Sequence, residues 1–297
     1  ARARGGLIDP RYYRQVPVTV AATVVELRSL IGGRRVALVP TMGALHDGHL
    51  ALAARAVELV SQGVVDVVAA SIFVNPLQFG PNEDLEKYPR TFDEDVAKLD
   101  AAGIDFVFAP TVEEMYPNGP LETKVTAGAV GSMFEGRSRP GHFDGVLTVV
   151  NKLLNIAGAS AVLFGQKDAQ QAFLVQRMVR DLSMPVRVEI VETVREESGL
   201  ALSSRNRFLD AKEHRAARAL STALEAAASS ADRGIDAVIA AAQSVLMGEN
   251  LVELDYLAVV NPATFLPVDD DYRGPARVLI AARVGSTRLI DNERIRL

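Results

Sequence analysis

A chain of 297 residues, 48% hydrophobic and 23% charged, has the make-up of an ordinary soluble globular protein and the length for one large or two modest domains. Its net charge of −5 argues against broad binding to nucleic acid or to a membrane surface, so an anionic ligand must be held by a few local cations. The absence of cysteine excludes a disulfide framework and fits a reducing, cytoplasmic location; no apolar run approaches the length of a bilayer span and no signal-peptide pattern precedes the first strand.

Residues 1–17, with Arg2, Arg4 and a glycine pair, read as a loose or partner-supported arm, and residues 19–30 as a short amphipathic helix ended by Gly32 and Gly33. The stretch 36–50 then organises the chain. Four apolar residues after Arg34 and Arg35 read as a buried parallel strand, residues 40–45 as a turn and Gly48 onward as a helix. His46 and His49, three apart at the junction, can face one point above the strand's carboxyl end, in front of unpaired helix N–H groups that favour an anion. Gly43 permits the turn, and Gly48 lets a ligand approach the backbone. A metal half-site is the competing reading of the histidine pair, but with His142 and His214 the only other histidines and no cysteine, zinc would need carboxylates.

Residues 64–73 read as a second strand running into a turn-rich loop, 74–81, where Asn75 and Gln78 offer neutral amides to hydroxyls and carboxylates. Ordinary turn chemistry is the alternative for Asn75. In the acidic segment 83–95, Asp93, Glu94 and Asp95 open a helix ending near Gly103; carboxylates there read as dipole partners, with magnesium binding around Glu94 as the alternative. Residues 106–109 form a third strand, and 121–125 read as an edge strand. The glycine-bounded loop 131–145 carries Arg137, Arg139 and His142 as a candidate lid over an anion, and an apolar helix follows to about Gly158. Residues 161–164, the turn Gly165, Gln166, Lys167, Asp168 and a helix over 169–182 repeat the first strand, turn and helix, so Lys167 comes to the same ligand face. Asp168 is a helix N-cap or a ligand contact, and Gln171 lies on the side of that turn. After a fifth strand, 186–191, the loop bearing Ser203, Ser204 and Arg205 suits a triphosphate tail, helix capping being the alternative for the serines. Alanine-rich helices over 212–230 and 235–246 and strands near 252–260 and 277–284 complete the chain. The pattern specifies an α/β fold: a Rossmann-like doubly wound parallel-sheet domain, residues 1–192, followed by a smaller α+β domain, residues 193–297.

No P-loop, GxGxxG, GxSxG or HExxH element occurs. What remains is His46, His49 and Lys167 as catalytic candidates, with Ser203, Ser204 and Arg205, converging on a polyphosphate whose α-phosphate is attacked in line. The helix terminus lowers an imidazole's pKa and a triphosphate raises it, which leaves the protonation states open.

The run PTMGALHDGH, with FVNPLQF, YPRT, RPGHFDGVLTVV, GQKDAQQ, TVRE, LSSRNRFL, LDYLAVV and RVGSTRLIDN in order, resembles the pantothenate synthetase family of pantoate and β-alanine ligases, within the wider HxGH nucleotidyltransferases. The resemblance implies ATP-dependent activation of pantoate to pantoyl adenylate, then attack by β-alanine to give pantothenate and AMP, with magnesium, in a cytoplasmic homodimer. By matching position it implies ATP contacts from Met42, Gly43, His46, Gly48, His49, Gly165, Lys167, Asp168, Val194, Leu202, Ser203, Ser204 and Arg205, with His49 as proton donor. Gln78 and Gln171 match pantoate-binding amides, and Arg139 and His142 a loop near the acyl substrates. The chain departs from the family pattern at Gln166, usually Glu, at Ala169, usually aromatic, and at Leu202, usually Met, which bears on adenosine packing. An adenylyl- or cytidylyltransferase with a phosphorylated acceptor would need cations where Gln78 and Gln171 are neutral, and a non-catalytic nucleotide-binding regulator would not depend on His49.

Overall fold

The computed structural model describes residues 17–80, 85–86, 88–119 and 121–297. Residues 1–16 of the expected arm, and Pro81, Glu83 and Asp84 of the following loop and acidic segment, lie outside them.

The amino-terminal half alternates strands and helices: β1 (Thr19–Ala21), α1 (Val24–Ile31), β2 (Val36–Thr41), α2 (Asp47–Ser61), β3 (Val67–Ile72), α3 (Phe92–Ala101), β4 (Phe106–Phe108), α4 (Val112–Met115), α5 (Glu135–Ser138), α6 (His142–Ala157), β5 (Ala159–Gly165), α7 (Ala169–Asp181) and β6 (Arg187–Val191). Its six strands lie in the order β1-β4-β3-β2-β5-β6, all parallel. Successive side chains of a strand point to opposite faces. Val36 and Leu38 accordingly pack with Leu147, Val150 and Leu154 of α6, while Ala37 and Val39 pack with Leu52, Ala56 and Leu59 of α2. Both faces are covered, which is why β2 is apolar throughout rather than alternating. The chain leaves β2 toward β3 on one side and returns to β5 on the other, so the carboxyl ends of β2 and β5 form the switch point where open α/β sheets bind ligands.

Four local readings change. Residues 19–21 are not helical: Thr19 to Ala21 add a strand beside β4, and the helix starts only after Thr23, whose hydroxyl accepts from Glu26 N while the Glu26 carboxylate accepts from Thr23 N. That Thr-x-x-Glu box is a local start signal. Pro40 belongs to β2, opposite Ser71, rather than to the turn. Residues 121–125 form no strand; Val125 N donates instead to Thr148 Oγ1 at 3.1 Å. The helix after the glycine-rich loop begins at His142, ahead of Gly145.

The carboxyl-terminal part contains α8 (Ala211–Ala217), α9 (Ala219–Ser229), α10 (Ile235–Met247) and a three-stranded antiparallel sheet, β7 (Val252–Val260), β8 (Pro275–Val284) and β9 (Thr287–Arg296), in that order. The long alanine-rich helix is thus divided at Arg218, and β9 is a strand beyond those the sequence pattern indicates. A tight turn through Gly285, at φ 58°, brings β9 back along β8. Helices and sheet share their own core around Leu220, Leu224, Val238 and Ile280. A charge cluster ties it to the first sheet's domain: Arg288 of β9 donates to both oxygens of Glu135 in α5 at 2.7 Å and to Asp255 at 2.8 Å.

Candidate active site

The turn after β2 is shaped from a distance. Gly43 and Ala44 take positive φ, 80° and 52°, and Asp95 of α3, only 1% exposed, accepts from Ala44 N at 2.9 Å and Leu45 N at 2.8 Å. Thr91 Oγ1 donates to the same carboxylate at 3.0 Å, and Lys98 Nζ donates to Leu45 O at 2.8 Å. Asp95 therefore holds the turn rather than serving as one more dipole partner of α3. Sequence reading missed it because Asp93, Glu94 and Asp95 carry the same local signature.

His46 is the N-cap of α2 and His49 lies in its first turn. Gly48 N donates to His46 Nδ1 at 3.1 Å, His46 N donates to His49 Nδ1 at 3.3 Å, and the ring centroids are 4.1 Å apart. A Cβ on Gly48 would meet His46 Cε1 at 2.8 Å, so this glycine makes room for the imidazole. Burial, then the nearby Lys167, pushes His46 down to about 4; burial, then His46, pushes His49 down to about 3. Both rings are thus neutral near pH 7. With each Nδ1 accepting a backbone N–H, the ring proton sits on Nε2, and two neutral N–H donors serve the cleft that both rings line.

Opposite them, the single 3-10 turn Pro76–Gln78 is fixed by Asn75, whose carboxamide is fully engaged. Its oxygen accepts from Leu77 N at 3.3 Å and Tyr116 OH at 2.7 Å, and its nitrogen donates to Gln78 Oε1 at 3.2 Å and Gly145 O at 3.2 Å. Asn75 is 1% exposed and orients Gln78, whose own Nε2 reaches Met42 Sδ at 3.1 Å. A Cβ on Gly145 would lie 2.2 Å from Leu77 O, so only glycine lets α6 approach this turn. Arg139 and His142 also line the cleft, and both donate to the Gln78 carbonyl, at 3.3 and 2.9 Å; His142 Nε2 in turn accepts from Arg139 Nη1 at 3.0 Å. They latch the glutamine's backbone.

The second strand, turn and helix supplies Lys167, Asp168 and Gln171 to the same cleft, and the loop before α8 supplies Ser203, Ser204 and Arg205. Asp168 occupies the N-cap position of α7, but its side chain makes no capping bond; it lies 3.5 Å from Lys167 Nζ. Burial alone would raise its carboxyl, yet Lys167 and Arg205 outweigh it and hold the group below the usual carboxylate value. Ser203 does cap the short 3-10 segment Ser204–Phe208, accepting from Arg205 N at 3.3 Å. The space enclosed is about 220 Å³, with an apolar wall of Phe73, Val146, Val149, Val150, Leu153 and Phe164. The α6 members of that wall fall at i, i+3, i+4 and i+7, a stripe that sequence reading assigns to core. Gly43, Gly48, Gly165, Val194 and Leu202 do not line the cleft; Gly165 ends β5, and Leu202 N donates to Val194 O at 2.9 Å. Gln166 faces away from it, into a second cleft. Among the described residues no three histidine or acidic side chains cluster to hold a metal ion, and no helix is long and apolar enough to cross a membrane.

A doubly wound sheet with an HxGH turn at its switch point, facing a lysine, a serine pair and an arginine, defines an enzyme of the HxGH nucleotidyltransferase class. Comparison with known proteins narrows this. Residues 17–294 match the sequence profile described as pantoate-beta-alanine ligase. The pantothenate synthetase of Leifsonia xyli is 56% identical over 96% of this chain and 97% of its own length, and that of Thermobifida fusca 52% identical over 93% and 94%. The crystal structure of pantothenate synthetase from Thermus thermophilus superposes with a TM-score of 0.87 at 46% identity, covering 93% of this chain and 99% of that one. The Francisella tularensis pantoate-beta-alanine ligase, solved with beta-gamma ATP and beta-alanine, superposes with a TM-score of 0.75 at 32% identity over 93% and 97%. The chain belongs to the pantoate-β-alanine ligase family, enzymes that condense pantoate with β-alanine using ATP.

Proposed function

We propose that this cleft activates the pantoate carboxylate by in-line attack on the α-phosphorus of ATP. The carboxylate oxygen–phosphorus bond forms as the bond to pyrophosphate breaks, leaving pantoyl adenylate. The amine of β-alanine then attacks the acyl carbon, the carbon–nitrogen bond forms, AMP leaves and the amine gives up a proton. The Nε2–H groups of His46 and His49 donate to the α-phosphate oxygens, where charge builds in the transition state, and Lys167 and Arg205 take the charge of the departing pyrophosphate with the Ser203 and Ser204 hydroxyls. Neutral imidazoles suit this role, because they are bound as donors before the charge develops. Gln78 and Gln171 bond the hydroxyl and carboxylate groups of pantoate, and the valines of α6 with Phe73 and Phe164 receive its apolar body. The Francisella relative with its nucleotide and β-alanine supports placing both ligands here.

Magnesium fits this donor set only as a partner of the triphosphate, with Asp168 the carboxylate that the cleft wall offers it, and there it would neutralise phosphate charge. Residues 193–297 act as the lid that carries Ser203 to Arg205, and the protein works as a cytoplasmic homodimer. The observation that carries the reading is the convergence of the His46 and His49 imidazoles and Lys167 on one side of a cleft whose other side is amide-lined and apolar. Isotope exchange between pyrophosphate and ATP tests it. Exchange should require pantoate and fall at least about a hundredfold in His49→Ala; exchange that ignores pantoate, or survives in that variant, refutes the assignment.

A further inference from the structure

A second cleft, of about 580 Å³, opens between α7, β6 and the carboxyl-terminal sheet. Gln166 lines it, although the next two residues line the active cleft. Its apolar walls are Phe173, Ile190 and Phe265, and its charged end holds Arg277 and Arg294. These two arginines are direct cross-strand partners on β8 and β9, a like-charge pairing that disfavours the sheet unless something compensates.

Arg277 is 7% exposed, and its guanidinium makes one hydrogen bond, to the neutral Asn292 Oδ1; among the described residues no carboxylate lies within ion-pair distance. The acidic groups nearby are engaged or solvated. Glu189, on the cleft wall, is paired with Arg55 at 2.9 Å and with Arg187. Glu192 is 80% exposed and 3.8 Å from Arg294, and Glu293 accepts from the Arg294 backbone N–H. Burial, then the neighbouring Arg294, pulls the Arg277 guanidinium down to about 10, outweighing the opposing pull of the more distant Glu192 and Glu293. Arg294 donates to Gln166 Oε1 at 3.3 Å, a neutral partner again. A buried guanidinium with no carboxylate in direct contact is a costly arrangement in a protein interior, and this one borders an open cavity.

We propose that this cleft is a binding site for a small organic anion, its carboxylate or phosphoryl head held by Arg277 and Arg294 and its apolar body lying against Phe173, Ile190 and Phe265. The fork geometry of two guanidiniums matches either planar or tetrahedral oxyanions. The same Asn292 that holds Arg277 donates through Nδ2 to Gln166 O at 2.9 Å and Lys167 O at 3.0 Å, so the anion would sit one side chain from the Lys167 backbone.

Thermal unfolding and calorimetric titration of the full chain at fixed ionic strength test this, with phenyl phosphate, benzoate and inorganic phosphate as probes. Lys167→Ala serves as the background that weakens oxyanion binding in the active cleft. An organic probe should raise the Tm of the parent and of Lys167→Ala alike, more than inorganic phosphate does, and the better of the two identifies the head group. Arg294→Gln, at an exposed position that leaves folding intact, should weaken binding about ten- to a hundredfold. Gln166→Glu, which places a carboxylate beside Arg294, should raise the Tm without ligand and remove the response. A response lost in Lys167→Ala but intact in Arg294→Gln overturns the proposal, as does the absence of any response at tens of millimolar probe.

Discussion

Replacing Asp95 with asparagine changes one atom and isolates the clamp on the HxGH turn. The native carboxylate accepts at both oxygens, from Leu45 N at 2.8 Å on Oδ1 and from Ala44 N and Thr91 Oγ1 at 2.9 and 3.0 Å on Oδ2. Asparagine has one acceptor oxygen, so its amide nitrogen must face at least one backbone N–H at a site only 1% exposed. Losing a charge-assisted bond costs about 1.5–3 kcal/mol and leaving a buried N–H unpaired about 1–3 kcal/mol, so the variant should lose roughly 3–5 kcal/mol of stability. Those same bonds hold Ala44 at φ 52°, a conformation that costs an L-residue about 1 kcal/mol; freed, the turn relaxes and carries His46 with it. A displacement near 1 Å at a catalytic group costs on the order of a hundredfold in rate. Urea denaturation and pantoate-dependent pyrophosphate exchange would be measured together, with the exposed Asp93→Asn as control, expected within about 0.5 kcal/mol of the parent. If Asp95→Asn matches that control in both stability and rate, the turn is not held by this carboxylate and the account of how the histidines are positioned fails.

Gly145→Ala places a methyl group 2.2 Å from Leu77 O, so it should displace the Gln78 turn and raise KM for pantoate at least about tenfold while KM for ATP changes little; an unchanged KM for pantoate, or an equal fold-change in both, would contradict the role of that contact. Stability should fall as pH falls below 6.5, because the unfolded chain then binds protons at His46 and His49 that the native state refuses until about 4 and 3. For His49 the full effect is at most ~5 kcal/mol, and for the less buried His46 smaller; Tm measured from pH 7 to 4 should be flatter in His46→Gln/His49→Gln than in the parent. Arg288→Met strands the Glu135 carboxylate, 8% exposed, without its partner and should cost about 3–5 kcal/mol by denaturation, whereas Arg288→Met with Glu135→Gln should recover much of it.

The strand, turn and helix around His46 was legible because each part announces itself locally: four apolar residues for a strand buried on both faces, glycines for the turn, then helical spacing. Lys167 is legible by the same logic, and the Ser203 to Arg205 loop by two hydroxyls and an arginine falling together in one polar loop. Misread elements had weak or mixed local signals. β1 is three residues long and merges in composition with α1, and β9, TRLIDNERIR, lacks a period-two pattern and is mostly polar or charged, so it resembles a tail. Residues whose importance comes from partners far along the chain carried no readable signal. Asp95 acts on residues 50 and 51 positions away, and Asn75 on Gly145, 70 positions away; neither differs locally from a dipole partner or a turn residue.

Gln166 shows the same limit in a sharper form. The resemblance implies Glu at this position and, by motif position alone, a bearing on how adenosine packs. The folded chain turns this side chain out of the nucleotide cleft and against Arg294, beside the buried Arg277. A carboxylate at this position would face two guanidiniums, Arg277 bonded only to the neutral Asn292 and Arg294 paired only with the solvated Glu192, 3.8 Å away. Exchanging it for an amide removes a negative charge where burial makes charge balance most expensive, while keeping the shape and the hydrogen bond. The consequence of the substitution therefore falls on the electrostatics between the two parts of the molecule, and Gln166→Glu should change the stability of the chain more than its KM for ATP.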